Sequence, residues 1–220
     1  MEKNRKKTRK TCTAFRSESV PGSAGQWLNI KKIPVDQAPW ADRYPYKCEA
    51  FAQVVFTQEG VAVKLTALQS NPVAECREDN GDVWADDCLE FFVMPDSRTG
   101  VYLNFECNSN GAILVGRGTE RHGRERVFPE GGRQALSVSV EKDENCWSVT
   151  YFVPGSVLGE VYRPRCNFYK CEERVPERAH FQSAFFVAAE NPDFHRPECF
   201  GRLRKTSRRR VEKDALNVIK

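Results

Sequence analysis

The chain has 220 residues, of which 40% are apolar, 11% aromatic and 29% charged, with a formal net charge of +4. This composition supports one domain, or two small ones, with a real apolar core and excludes a fibrous chain. No run approaches the roughly 18 consecutive apolar residues of a membrane-spanning helix.

The opening residues, "MEKNRKKTRK", are basic and are not followed by the apolar segment of a secretory signal. Residues 1–26 therefore read as a flexible basic leader, and the protein reads as cytoplasmic. The body that follows is built of short alternating stretches. In "VAVKLTAL", Val61, Val63 and Leu65 face one way and Lys64 and Thr66 the other, the period of a half-buried strand. "VYLNFECN", "LSVSVE" and "WSVTYFV" alternate in the same way, separated by the turn formers "NGD", "PDSRTG", "NSNG", "PEGG" and "KDEN". A helical period appears only in "RRVEKDALNVIK" at the C-terminus. Many short strands without intervening helices predict an all-β fold, an antiparallel two-sheet sandwich over residues 27–204, followed by a basic tail over 205–220 with a short helix.

Nine cysteines, at positions 12, 48, 76, 88, 107, 146, 166, 171 and 199, are spread through the chain with no C-x-x-C pair. Zinc ribbons and thioredoxin-like sites need that close spacing, so reduced thiols, several of them buried in strands, are expected. The basic runs "KNRKKTRK" and "RLRKTSRRR" could grip phosphate backbones, but no aromatics are interleaved with them. Solvated ends are the simpler reading, and nucleic acid is not an expected partner.

Three stretches could carry chemistry. In "DVWADDCLEFFV", Trp84, Asp86, Cys88 and Glu90 share one side and Asp87, Leu89 and Phe91 the other. Adjacent acids entering a strand are costly to bury unless a cation meets them. Asp86 and Asp87 could hold calcium, could do acid–base work, or could bond an arginine and loop amides. In "YLNFECN", Tyr102, Asn104, Glu106 and Asn108 share a face suited to hydrogen-bonding hydroxyls, opposite Leu103, Phe105 and Cys107. Asn167, Tyr169 and His180 in "RCNFYKCEERVPERAHFQSAFF" could join "NPDFHRPECFG" in one cleft. There Pro192 and Pro197 fix the path, Phe194 and Phe200 anchor it, and His195, Arg196 and Glu198 are left as polar side chains. His195 could contact a ligand or bond the Asp86/Asp87 pair. No nucleophile elbow or cysteine–histidine signature is present.

Taken in order, "NPVAE", "VWADDCLEFFVMP" with "YLNFECNSNGAIL", "CNFYKC…HFQS" and "NPDFHRPECFG" resemble the bacterial family 9-like carbohydrate-binding modules over residues of about 45 to 204. The resemblance implies an immunoglobulin-like β-sandwich that binds mono- or oligosaccharides without catalysis, and structural calcium in the xylanase-borne relatives. It makes Trp84 the stacking platform and places Asn167, Lys170 and His180 near the sugar. Glu106, Asn108, His195 and Arg196 would add hydrogen bonds. Two positions depart from the family: Ala184 stands where a second tryptophan is usual, and Cys166 where a glycine precedes "NFYKC". A two-ring clamp then needs Phe185 or Phe186. The alternative function is a glycoside hydrolase-like enzyme using two of Asp86, Asp87, Glu90 and Glu106.

Overall fold

Period-two alternation becomes strand almost wherever the sequence shows it. The computed structural model describes residues 10–206. Its strands are β1 (Thr11–Arg16), β2 (Ile33–Pro34), β3 (Glu49–Phe56), β4 (Gly60–Leu68), β5 (Cys88–Met94), β6 (Tyr102–Asn108) and β7 (Ile113–Gly118). They continue with β8 (Glu125–Arg126), β9 (Ser139–Lys142), β10 (Trp147–Pro154), β11 (Arg165–Glu172), β12 (His180–Ser183) and β13 (Gly201–Lys205). Two short helices, α1 (Ala24–Leu28) and α2 (Gly155–Leu158), punctuate them. The first nine residues of the leader and the tail from residue 207, with its expected helix, lie outside the described residues. Among the described residues no helix is long and apolar enough to cross a membrane.

The strands form one curled sheet in the order β8-β7-β6-β5-β11-β13-β1-β3-β4-β10-β9, with β12 on β11 and β2 on β3. The fold is all-β as expected, but the sheet is mixed rather than antiparallel. Its parallel pairs come from β1: Thr11–Ala14 run parallel to β13, and Phe15 and Arg16 run parallel to β3. Part of the supposed leader is thus a strand that joins the two halves of the sheet. Cys12 and Ala14 are buried there, because each alternate side chain of a central strand meets core. The expected strand "LSVSVE" starts late, since Gly132–Leu136 form a 3-10 turn and Ser137 closes it in the left-handed region at φ 49.

The main core lies between the two halves. Val54, Val63 and Leu65 from β3 and β4 share one apolar cluster with Phe91, Phe105 and Phe168 from β5, β6 and β11. Phe105 stacks on Tyr151 of β10 with ring centroids 5.7 Å apart. Each such side chain contributes about 1.5–3 kcal/mol on burial. A second cluster covers the other face of β5, β6 and β11, where Phe92, Tyr102 and Tyr169 meet Trp40, Phe194 and Phe200. Phe194 stacks on Tyr169 at 4.0 Å and accepts the tyrosine hydroxyl on its carbonyl at 3.0 Å. The proline-rich segment 191–201 is therefore a cover strapped onto the outer face of the sheet, and the functional-looking side chains of β5 and β6 open beneath it.

Candidate functional site

Alternation along β5, β6 and β11 decides which side chains reach this outer face. Leu89, Phe91, Phe105 and Phe168 go inward, and Cys88, Glu90, Asn104, Glu106 and Cys171 go outward. A cleft of about 410 Å³ opens over them, and Trp84, Glu106, Arg124, Phe181 and His195 line it. Trp84 sits in a 3-10 turn, Val83–Ala85, whose first residue is buried against Ala112 and Leu114. That anchoring leaves the indole 40% exposed at the cleft. Aromatic faces held in this way suit the C–H faces of sugars, while nearby polar groups take the hydroxyls.

The polar wall is a connected network. Asn104 donates to Glu106 Oε1 at 2.8 Å and accepts both Nε and Nη2 of Arg124, at 2.9 and 2.5 Å. Arg124 also donates to the carbonyls of Glu120 and Tyr102 and lies 4.1 Å above the Tyr102 ring. Gly116, opposite Asn104 on β7, makes this possible: a Cβ there would come within 2.5 Å of Asn104 Oδ1. Burial raises the Glu106 carboxyl to about 7, against the pull of Asn104 and the nearby arginines. Glu90, directly across the ladder, is pushed well up by burial and by the Cys171 sulfur. With its carboxyl near 7, Glu106 is partly protonated at neutral pH and can both donate to and accept from a hydroxyl. His195 shares a 2.9 Å hydrogen bond through Nδ1 with the Tyr102 hydroxyl, and burial with Arg124 nearby lowers it to about 3. It is not bonded to the Asp86/Asp87 pair.

Of the expected site residues, Trp84, Glu106 and His195 meet in the cleft, and the others do not line it. Asn108 is buried, donating to Asp86 and to the Cys76 carbonyl. Asn167 is buried, bridging to the backbone of Phe185. Lys170 points the opposite way from Asn167, as parity along one strand requires, and its ammonium donates to Asp87 at 2.6 Å and contacts His180 Nε2 at 2.9 Å. Arg196 lies outside, paired with Glu198 at 2.7 Å.

Asp86 and Asp87, expected as metal ligands, are both buried among protein donors. Asp86 accepts from Arg174, Asn108 and the amides of Glu75 and Cys76. Asp87 accepts from Lys170, Arg178, Gln69 and the Val73 amide. Burial alone would raise the Asp87 carboxyl, but the Lys170 ammonium holds it below its usual range. Both oxygens of each acid meet protein donors, and the pair pins the loop before Trp84. Neither Phe185, which is buried, nor Phe186 lines the cleft. Ala184 is buried, and Phe186 is 46% exposed but outside the cleft; Phe181 lines it instead.

Sequence reasoning missed Arg121, Arg124 and Arg126, which lie on and beside the short edge strand β8, where no periodic signal exists. Asn104 was legible, since it shares the Glu106 face.

A sequence model of a family described as "Carbohydrate-binding family 9" matches residues 24–205. A candidate carbohydrate-binding protein from Bacteroides uniformis has a crystal structure similar to this one, at 26% identity and a TM-score of 0.74, covering 90% of this chain and 99% of that one. Two family 9 module structures from Caldicellulosiruptor kristjanssonii share the fold. One, in complex with glucose, is 13% identical with a TM-score of 0.60, over 90% of this chain and 97% of its own. The other, in complex with cellotriose, is 14% identical with a TM-score of 0.61, over 90% and 95%. No curated protein matches the chain.

Proposed function

The chain belongs to carbohydrate-binding family 9, and we propose on that premise that it binds mono- or oligosaccharides in the cleft under Trp84, without catalysis. The observation that carries this reading is the pairing of a half-exposed indole with a buried, hydrogen-bonded polar floor. Glucose and cellotriose in the two Caldicellulosiruptor modules indicate the class of ligand to try first. Phe181 and Trp84 would contact apolar sugar faces, and Glu106, Asn104 and His195 the hydroxyls.

The finer architecture we infer is an immunoglobulin-like sandwich: the curled sheet folds its two halves face to face, and the shared cluster of Val63, Leu65, Phe91 and Phe105 supports this. The carbohydrate-binding unit is taken as residues 27–204, with β1 completing its sheet. Nine free thiols fit a reducing compartment, and we place the protein in the cytoplasm.

Titration with glucose, cello-oligosaccharides and a broader glycan panel should change tryptophan emission. Trp84→Ala should abolish that change while leaving the buried Trp147 and Trp27 signals intact. A flat response across the panel would sink the proposal.

A further inference from the structure

The cleft floor contains a group of side chains that sugar binding does not use. Cys88 and Glu90 lie two residues apart on β5, so their side chains share the outer face, and Cys171 of β11 is the register partner of Cys88. The two sulfurs and a Glu90 oxygen all lie within 4.8 Å of one another, and all three residues are buried. We propose that Cys88, Glu90 and Cys171 form a binding site for a thiophilic divalent cation, zinc in the first instance, with its fourth position open to the cleft.

The donor set fits. Zinc takes thiolate sulfur and carboxylate oxygen in a tetrahedron, with three protein ligands where one position is left open. At ordinary zinc–ligand lengths the ligand atoms stand about 3.5–3.8 Å apart, within reach of small side-chain rotations from the present arrangement. Cys171 Sγ is already 3.1 Å from Glu90 Oε1. Soft sulfur ligands favour zinc over calcium at this position.

The electrostatics of the site point the same way. Among the described residues the Glu90 carboxyl has one side-chain hydrogen-bond partner, the Cys171 thiol, and it faces Glu106 across the ladder. Two buried acids and two thiols without a touching cation form a site that a divalent ion completes. Binding would displace the protons of both thiols and of Glu90 to solvent, leaving two thiolates and a carboxylate around the metal. Arg124 and Arg126, which already act on Glu106, offset the excess negative charge. Access exists as well, since Glu90 and Cys171 themselves line the cleft. Cys171 Sγ also lies 3.5 Å from the Trp84 carbonyl, so the indole would report on the site.

The test uses the full chain, reduced and stripped with a chelator, titrated with Co²⁺ as a spectroscopic stand-in. Expected is one equivalent of Co²⁺ giving a thiolate-to-cobalt charge-transfer band that Zn²⁺ removes stoichiometrically. Cys88→Ser and Cys171→Ser should lose the band, and Cys12→Ser, on the far side of the sheet, should keep it. Glu90→Gln, which changes little in volume, should weaken binding by tenfold or more. The absence of a charge-transfer band in the reduced wild-type chain would overturn the proposal, whatever the variants do. A band that survives in both Cys88→Ser and Cys171→Ser would overturn it equally.

Discussion

Lys170→Met separates a scaffold role from a ligand role. The ammonium is fully buried and donates to Asp87 Oδ1 at 2.6 Å and to the Cys171 carbonyl at 3.0 Å. It also donates to His180 Nε2 at 2.9 Å; that nitrogen must be the acceptor, because Nδ1 already donates to the Arg178 carbonyl at 2.7 Å. Methionine keeps the length and apolar stem and deletes the charge. Asp87 would keep Gln69, the Val73 amide and Arg178, at 2.8, 2.7 and 3.0 Å. Stranding a buried acid costs about 3–5 kcal/mol, and the surviving Arg178 places this case near the lower end, about 3 kcal/mol. His180 sits at about 3 because of burial first and the Lys170 charge second, so the variant should also let it bind a proton more readily. Urea denaturation of wild type, Lys170→Met, Asp87→Asn and the double variant would give the coupling. The double variant should be more stable than the sum of the singles predicts, by about 2 kcal/mol. Sugar affinity of the folded Lys170→Met chain should stay within about twofold, under 0.5 kcal/mol. Additive single effects, or a tenfold loss of sugar affinity at unchanged stability, would refute the reasoning.

Gly116→Ala should weaken sugar binding by tenfold or more in calorimetry, because its Cβ displaces Asn104 from Arg124 and Glu106. Glu106 binds its proton more tightly folded than unfolded, so its penalty is absent below about pH 4.5 and complete above about 7. In metal-free protein, wild type should lose about 3 kcal/mol more than Glu106→Gln across that window, and parallel denaturation curves would contradict it. Deleting residues 1–16 removes β1 from between β13 and β3 and should lower stability by at least ~3 kcal/mol, where a true leader would cost nothing measurable.

The faces of the strands were legible because alternation is local. Val61, Val63 and Leu65 enter the core, and Tyr102, Asn104 and Glu106 turn outward, as period two requires. The exposed indole at Trp84 and the anchoring rings Phe194 and Phe200 could be read from their neighbours in the chain. Nothing local could show that β1 inserts parallel between distant strands, since parallel pairing is decided by long-range closure of the sheet.

The same limit governed the site. A lone strand gives a side chain's face but not what stands opposite. The sequence alone therefore determined an all-β body and the outward orientation of Cys88, Glu90 and Glu106. Only the tertiary structure decided that Asp86 meets Arg174 and that Asp87 meets Lys170 and Arg178. It also decided that Cys171 comes to rest beside Cys88 and Glu90. The pairing of β5 with β11 brings those residues together, and no spacing within either strand encodes it.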